Sequence, residues 1–382
     1  MNSKIKILRI IDTLDPRHGG PQNAILSSSL ALNKKGFKVD IVTSDNKKTN
    51  FLKSKSLKVF NIGYGIGTYG FNIKFFFWLI TNRKKYDFFI IHGLWSFYTL
   101  VARFLLYKKY FVFTHGQLDP FFSINFMKKI KKQIYWFLIE KKNLLSSRSL
   151  LLTTEEEKKQ LSKTYVNTDN IQKTVVGYGI IKPQFNKKKA SILFFKKFPS
   201  LKNNKFLLFL GRFHEKKGCD ILIRALHRLK KKKININILL AGPNSEYKNK
   251  IISLSKDLGL NNIFWADTIL GDLKWGAINA SEAMVLPSHG ENFGGSLVEA
   301  MSCSKPVLTT SKVNIYKDIL DYNAGFVCNN NSKNFSEIIE KFIGLNKKKN
   351  KELSINSLKC FNKNYNLNSI NNMLAIFLKN QK

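Results

Sequence analysis

Met284-Val285-Leu286-Pro287-Ser288-His289-Gly290-Glu291-Asn292-Phe293-Gly294-Gly295-Ser296-Leu297-Val298-Glu299-Ala300-Met301 is the stretch that decides the fold. A short apolar run ends at Pro287, a glycine-rich loop follows, and an apolar helix begins at Gly295 or Ser296. A strand that passes through glycine into a helix is the repeating unit of parallel α/β sheets. The same loop offers backbone amides at a helix N-terminus, which suits a diphosphate. Glu299 is the only charge between Glu291 and Lys305, on a helix otherwise made of core residues. A carboxylate buried there is costly unless it is paired or meets a ligand, and a pair of ribose hydroxyls would satisfy it. Either glutamate alone is well explained as a cap or an ion-pair partner. That explanation is poor for both in one loop.

Working outward, the same rhythm fills the chain. In the first half, 5–11, 39–43, 88–91, 111–114 and 150–153 are short apolar runs closed by glycine or polar residues, with helical patterns such as 22–34 and 127–145 between them. In the second half the strands fall at 206–210, 234–240, 263–265, 284–286 and 306–309, with helices near 219–229 and 314–320. Two doubly wound parallel sheets are expected. Periodicity lapses around 181–204, where Pro183 and Pro199 interrupt a lysine-rich linker. The expected division is residues 1–188, 189–360 and a C-terminal helix, 361–382, crossing back to the first domain.

Ligands of open α/β sheets sit at the carboxyl ends of strands, so the strand-end loops carry the candidate chemistry. His18-Gly19-Gly20-Pro21 follows the first strand, where paired glycines admit a phosphate or sugar to the backbone; its spacing is not that of the dinucleotide fingerprint. Gly211-Arg212-Phe213-His214-Glu215-Lys216-Lys217-Gly218 follows the first strand of the second half, with Arg212 and a later lysine able to clamp a diphosphate. Lysine alone means little in this chain, but arginine is scarce. Thr114-His115-Gly116-Gln117 closes another strand and places His115 to meet a sugar hydroxyl. His92-Gly93-Leu94-Trp95 is a weaker candidate for the acceptor side, with Trp95 able to stack on a sugar or lipid head. His214 and His289 lie beside the phosphate loops, and His227 reads as structural.

Composition bounds the partners. Lys and Arg total 64 against 25 Asp and Glu, a net charge of +39. Drift of an A/T-rich coding sequence accounts for about half of this or more; attraction to anionic lipid or polyphosphate would account for the rest. No basic and aromatic module of a nucleic-acid-binding protein is present, so no nucleic-acid partner is expected. The four cysteines lack metal or disulfide spacing, Met1 to Ile11 lacks the apolar stretch of a signal peptide, and no window spans a bilayer. A cytoplasmic protein, peripheral on the inner face of the plasma membrane, is expected. The segment Phe121–Phe137 gathers aromatics with Lys128, Lys129, Lys131 and Lys132. It reads either as a core-facing helix with a solvated lysine face or as an interfacial patch in which Phe121, Phe122 and Phe126 dip into the membrane boundary.

With these motifs in order, the chain resembles the retaining family 4 glycosyltransferases of GT-B fold, the glycosyl transferases group 1. Glu291 and Glu299 have that family's E-x7-E spacing. Leu286-Pro287-Ser288, Gly290 to Gly294, Glu299-Ala300-Met301, Lys305-Pro306-Val307, Gly211-Arg212 with Lys217-Gly218, Ala241-Gly242-Pro243 and Gly19-Gly20 are similar as well. The resemblance implies two Rossmann-like doubly wound domains facing across a cleft. Arg212 and Lys217 would bind the diphosphate of a UDP- or GDP-linked sugar donor. Glu291, Asn292, Phe293, Gly294 and Gly295 would hold the transferred sugar and phosphate, Glu299 the ribose, and Gly19 and Gly20 would pack against phosphate. His115 would lie near the anomeric centre. No metal and no cofactor beyond the donor substrate are expected, with retention of configuration and the departing phosphate helping to deprotonate a glycan or lipid-linked acceptor. The expected setting is lipopolysaccharide, capsule or exopolysaccharide assembly. Two departures stand out: Val176 to Ile180 replaces a Pro-Asn-Gly turn, and Ser304 replaces a glycine. A glucan synthase or epimerase of the same fold, a non-catalytic relative and a basic nucleic-acid-binding protein are the alternatives.

Overall fold

The computed structural model describes residues 4–15, 20–49, 51, 57–119, 126–165 and 168–381, without the side chains of 20, 21, 23 and 126–129. The chain divides into two compact units, Met1–Ile181 with Leu367–Lys382, and Lys182–Asn366. The sequence reading put these divisions at 188/189 and 360/361.

Unit 1 holds β1 (Lys6–Ile11), β2 (Lys38–Thr43), β3 (Lys58–Asn61), β4 (Phe88–His92), β5 (Tyr110–Phe113), β6 (Ser149–Leu152) and β7 (Lys173–Val175), ordered β3-β2-β1-β4-β5-β6-β7. Unit 2 holds β8 (Phe206–Leu210), β9 (Asn237–Ala241), β10 (Ile263–Ala266), β11 (Ala283–Leu286), β12 (Val307–Thr310) and β13 (Gly325–Cys328), ordered β10-β9-β8-β11-β12-β13. All the pairings between these strands are parallel. Both sheets are doubly wound and reverse direction at one point, between β1 and β4 and between β8 and β11. Central strands such as β8, Phe-Leu-Leu-Phe-Leu, are buried throughout because helices cover both faces. The three strands not expected from sequence, β3, β7 and β13, are half-buried edge segments; polar residues dilute the apolar signal of β3 and β7, and β13, Gly-Phe-Val-Cys, is apolar but brief.

The lysine-rich stretch read as a linker contains a helix, Lys187–Lys197, which starts where the Asn186 side chain accepts the Lys189 amide at 3.0 Å. It packs on the helix Gly271–Ala280 so closely that a Cβ on Gly276 would stand 2.2 Å from the Ala190 carbonyl oxygen. The helix Leu367–Lys379 belongs to unit 1, where its Leu374, Ala375 and Leu378 join the core beneath β1, β4 and β5. The segment 176–180 makes this docking possible: a Cβ on Gly177, at φ +74°, would meet Ile370 Cδ1 at 2.5 Å. Ser304 takes the left-handed conformation a glycine would favour, φ +61°.

Candidate functional site

The glycine-rich loops of unit 2 lie where the strand order reverses, after β8 and β11. They are pressed together at Gly218, which has φ +66° and whose absent Cβ would fall 2.0 Å from the Pro287 carbonyl oxygen. The contact is fastened by the His289 amide, which donates to the Lys216 carbonyl at 2.8 Å. From this junction Lys217 pairs with Glu291. The Glu291 backbone is pinned on both sides, its N–H donating to Lys312 O at 3.0 Å and its C=O accepting from Asn314 N at 2.9 Å. Burial pushes the Glu291 carboxyl up, but Lys217, then Lys216 and the Gly294 amide, outweigh it and hold the group below the usual carboxylate range.

Gly294, at φ +67°, caps the helix Gly295–Ser302, and a Cβ there would crowd Val313 at 3.1 Å. Gly295 is exposed, with open space around it, at the N-terminus of this helix, where the first amides have no carbonyl a turn before them. Arg212 stands exposed just past β8. Phe293 is held edge-on against Tyr365 at 5.6 Å, and Asn292 accepts from Asn314 Nδ2 at 3.2 Å. A helix N-terminus after β11, with an exposed arginine and a paired lysine after the adjacent β8, makes an anion-receptive corner with a fixed carboxylate beside the lysine.

The expectation that ion pairing could not account for both glutamates is corrected. Glu291 has Lys217, and Glu299 has Lys274 at 2.9 Å, each pair partly exposed. Lys274 comes from the helix Gly271–Ala280, far from the motif, and one lysine among so many leaves no trace in the sequence pattern. His214 acts locally, its Nδ1 accepting the Lys216 amide at 3.1 Å. His289 lies between Asp220 Oδ1 at 3.3 Å and Asn330 Nδ2 at 3.0 Å. Burial pushes the Asp220 carboxyl up, and hydrogen bonds from His289 and Tyr247 bring it below its ordinary value. His227 lies in the helix Cys219–Lys231.

Of the N-terminal motif, His18 and Gly19 lie outside the described residues, and Gly20 opens the helix Gly20–Lys34. The strand-end histidines of unit 1 come together: His92 Nδ1 and His115 Nε2 are 2.9 Å apart, and both rings stack with Phe113. Burial, and secondarily the Arg9 charge, depress His115 to about 3; burial, His115 and Arg9 push His92 well below the usual histidine range. Both are therefore neutral hydrogen-bonding groups at any working pH. His115 and Trp95 hold left-handed backbone, φ +47° and +60°, a local strain that surrounding contacts must maintain.

Two buried carboxylates supply those contacts, and neither was expected from sequence. Glu157 takes Thr114 Oγ1 at 2.5 Å and the Gly116 amide at 3.2 Å on one oxygen, and Thr153 N and Oγ1 at 2.8 Å on the other. A signal for it existed: Thr154 caps the Glu157 amide, a Thr-x-x-Glu capping pattern after a strand. Glu140, fully buried, accepts from the Trp95 amide at 3.3 Å and from Asn143 Nδ2 at 3.1 Å. Burial raises it to about 7 from an ordinary 4.5. Because the folded state holds this proton more tightly, its contribution is complete at low pH and is lost as pH rises from the ordinary carboxyl range through about 7. Glu140→Gln, which keeps an acceptor for Trp95, is expected to flatten that loss. Above pH 8 it should be about 2 kcal/mol more stable than the parent. Parallel stability–pH curves in urea titrations would show that Glu140 is not the titrating group.

Residues 191–359 match the family model described as Glycosyl transferases group 1. The chain is 33% identical over 140 residues to an uncharacterized glycosyltransferase of Methanocaldococcus jannaschii, covering 37% of this chain and 38% of that one. It is 28% identical over 129 residues to the lipopolysaccharide 1,2-N-acetylglucosaminetransferase of Salmonella typhimurium, covering 31% and 34%. The chain thus spans about a third of the length of the curated relatives it matches. Along nearly its whole length it is similar in fold to Anabaena HepE in complex with UDP-glucose, with a TM-score of 0.76 at 16% identity over 98% of this chain and 100% of that one. The architecture is GT-B.

Proposed function

We propose that this chain, whose residues 191–359 match the glycosyl transferases group 1, moves a hexose-type sugar from a UDP- or GDP-linked donor to a lipid-linked glycan acceptor. The observation that carries the reading is the anion-receptive corner where unit 2 reverses its strand order. There the N-terminus of the helix Gly295–Ser302 follows the loop of the Lys217–Glu291 pair, and the exposed Arg212 lies just past the adjacent strand β8. In this reading Arg212 and Lys217 neutralise the diphosphate as it departs, which answers developing charge without proton transfer. Glu291 takes the hydroxyls of the transferred sugar. Glu299 exchanges Lys274 for the ribose hydroxyls, or holds both. His115, neutral, hydrogen-bonds a sugar hydroxyl, and substitution proceeds with retention. The name of the Salmonella typhimurium relative favours lipopolysaccharide assembly.

Among the described residues no helix is long and apolar enough to cross a membrane. Residues 121–125 of the expected interfacial segment lie outside the described residues, as do the side chains of 126–129. Trp136 is core, while Ile130, Ile134, Phe137 and Leu138 are exposed around Lys131. An exposed apolar stripe with a lysine supports peripheral docking to an anionic membrane face, where the acceptor would be met.

The test is a panel of nucleotide sugars screened for thermal stabilisation. A true donor at a hundredfold excess over its Kd should add about 2.7 kcal/mol. Glu299→Ala should lose most of that gain while costing the unliganded protein only about 1 kcal/mol, the worth of a partly exposed pair. A flat response to every nucleotide sugar would reject the assignment.

A further inference from the structure

Arg9 occupies a core position. Ile7 and Arg9 share one face of β1, and Ile7 belongs to the apolar layer that Val39, Phe88, Ile90 and Phe111 build. Its side chain is 2% exposed, and its Nη1 donates to Ile25 O at 3.1 Å and to Ser28 Oγ at 2.5 Å. Both acceptors are neutral. Beside it lies a cavity of about 40 Å³ within unit 1, bordered by β1, β4, β5 and the His115 that follows it, the helix Gly20–Lys34, the segment 176–179 and the helix Leu367–Lys379. Among the described residues no Asp or Glu lines it. Arg9, His92 and Asn371 do, and four of their polar atoms are buried without a hydrogen-bond partner among the described residues: Arg9 Nε, His92 Nε2 and both amide atoms of Asn371.

A guanidinium buried without counter-charge is costly, and replacing such a charge by an apolar side chain commonly stabilises a protein. The Arg9 guanidinium is pushed down to about 9 by burial alone, with no carboxylate holding it up. Several buried polar groups converging on one small space also need partners. We infer that this cavity binds a single small monovalent anion such as chloride, held by Arg9 Nε, the Asn371 amide nitrogen and His92 Nε2. Water alone would satisfy the hydrogen bonds but leave the charge uncompensated. About 40 Å³ of free space is room enough for one small ion.

The anion has a consequence for the paired histidines. An anion accepts, so His92 carries its proton on Nε2 and its Nδ1 accepts from His115 Nε2–H across the 2.9 Å contact. His115 is then left with Nδ1 as its lone-pair nitrogen. The cavity occupant therefore selects the tautomer that a sugar hydroxyl would meet. Binding itself stands whether or not the chain transfers sugar, since its readouts need no donor.

The experiment compares melting temperatures in sodium chloride and sodium gluconate at equal ionic strength, for the parent, Arg9→Met and Asn371→Leu. The parent is expected to gain about 2 °C, saturably, in chloride. Arg9→Met should show no chloride-specific gain and should melt above the parent in gluconate. Asn371→Leu should need several-fold more chloride for half its gain. Equal melting of the parent in both salts, or the same chloride gain in Arg9→Met, would overturn the inference, the latter by assigning the effect to surface lysines. Should Arg9→Met fail to fold, crystals of the parent in bromide decide the matter. An anomalous peak beside Arg9 supports the site, and density for water only refutes it.

Discussion

Gly218→Ala is expected to destabilise unit 2 by about 4 kcal/mol and to abolish nucleotide-sugar binding with it. Two independent costs add at this position. The backbone sits at φ +66°, where a Cβ is strained, and that Cβ would lie 2.0 Å from the Pro287 carbonyl oxygen, inside any tolerable contact. Relief requires the loops after β8 and β11 to part. That would break the His289 amide to Lys216 carbonyl bond and pull Lys217 from Glu291. Gly295→Ala is the matched control. It adds the same methyl group to the same anion corner, where nothing lies within 4 Å, and its stability should stay within about 0.5 kcal/mol of the parent. Urea unfolding of the two variants gives the comparison. If Gly218→Ala matches Gly295→Ala, the two loops are not latched at this point.

His115→Ala is expected to lower turnover on the order of 10²-fold while donor affinity changes little, because a hydrogen bond made mainly in the transition state is lost. Its depressed value, about 3, adds a second readout. A group that stays neutral gives no limb to the pH–rate profile between about 5 and 8. Any break seen there in the parent should therefore persist in His115→Ala. A break that disappears with the variant would make His115 a titrating acid or base and would contradict the burial that keeps it neutral. Loss of turnover at His92 equal to that at His115 would move the role to the pair.

The two parallel sheets were legible because central strands covered on both faces must be apolar throughout. β8 and β11 announce themselves without any knowledge of their neighbours. The donor-side loops were legible for a similar reason, since left-handed turns and close approaches admit little but glycine. Gly218 and Gly294 therefore mark the places where backbone meets backbone or opens a helix. The edge strands were not legible: β3 and β7, half in water, carry mixed residues, and β13 is only a brief apolar run opened by glycine.

What the sequence determined by itself was therefore the repeating strand–loop–helix order and the position of its glycine-rich corners, because both are written in local backbone and burial requirements. What only the tertiary structure decided was who partners whom. Lys274 reaches Glu299 from another helix, Glu157 and Glu140 hold the strained loops at His115 and Trp95, and Asn371 arrives from the far end of the chain beside Arg9. These are charges and dipoles brought out of water by folding. Their partners are chosen by proximity in space, for which spacing along the chain leaves no local pattern.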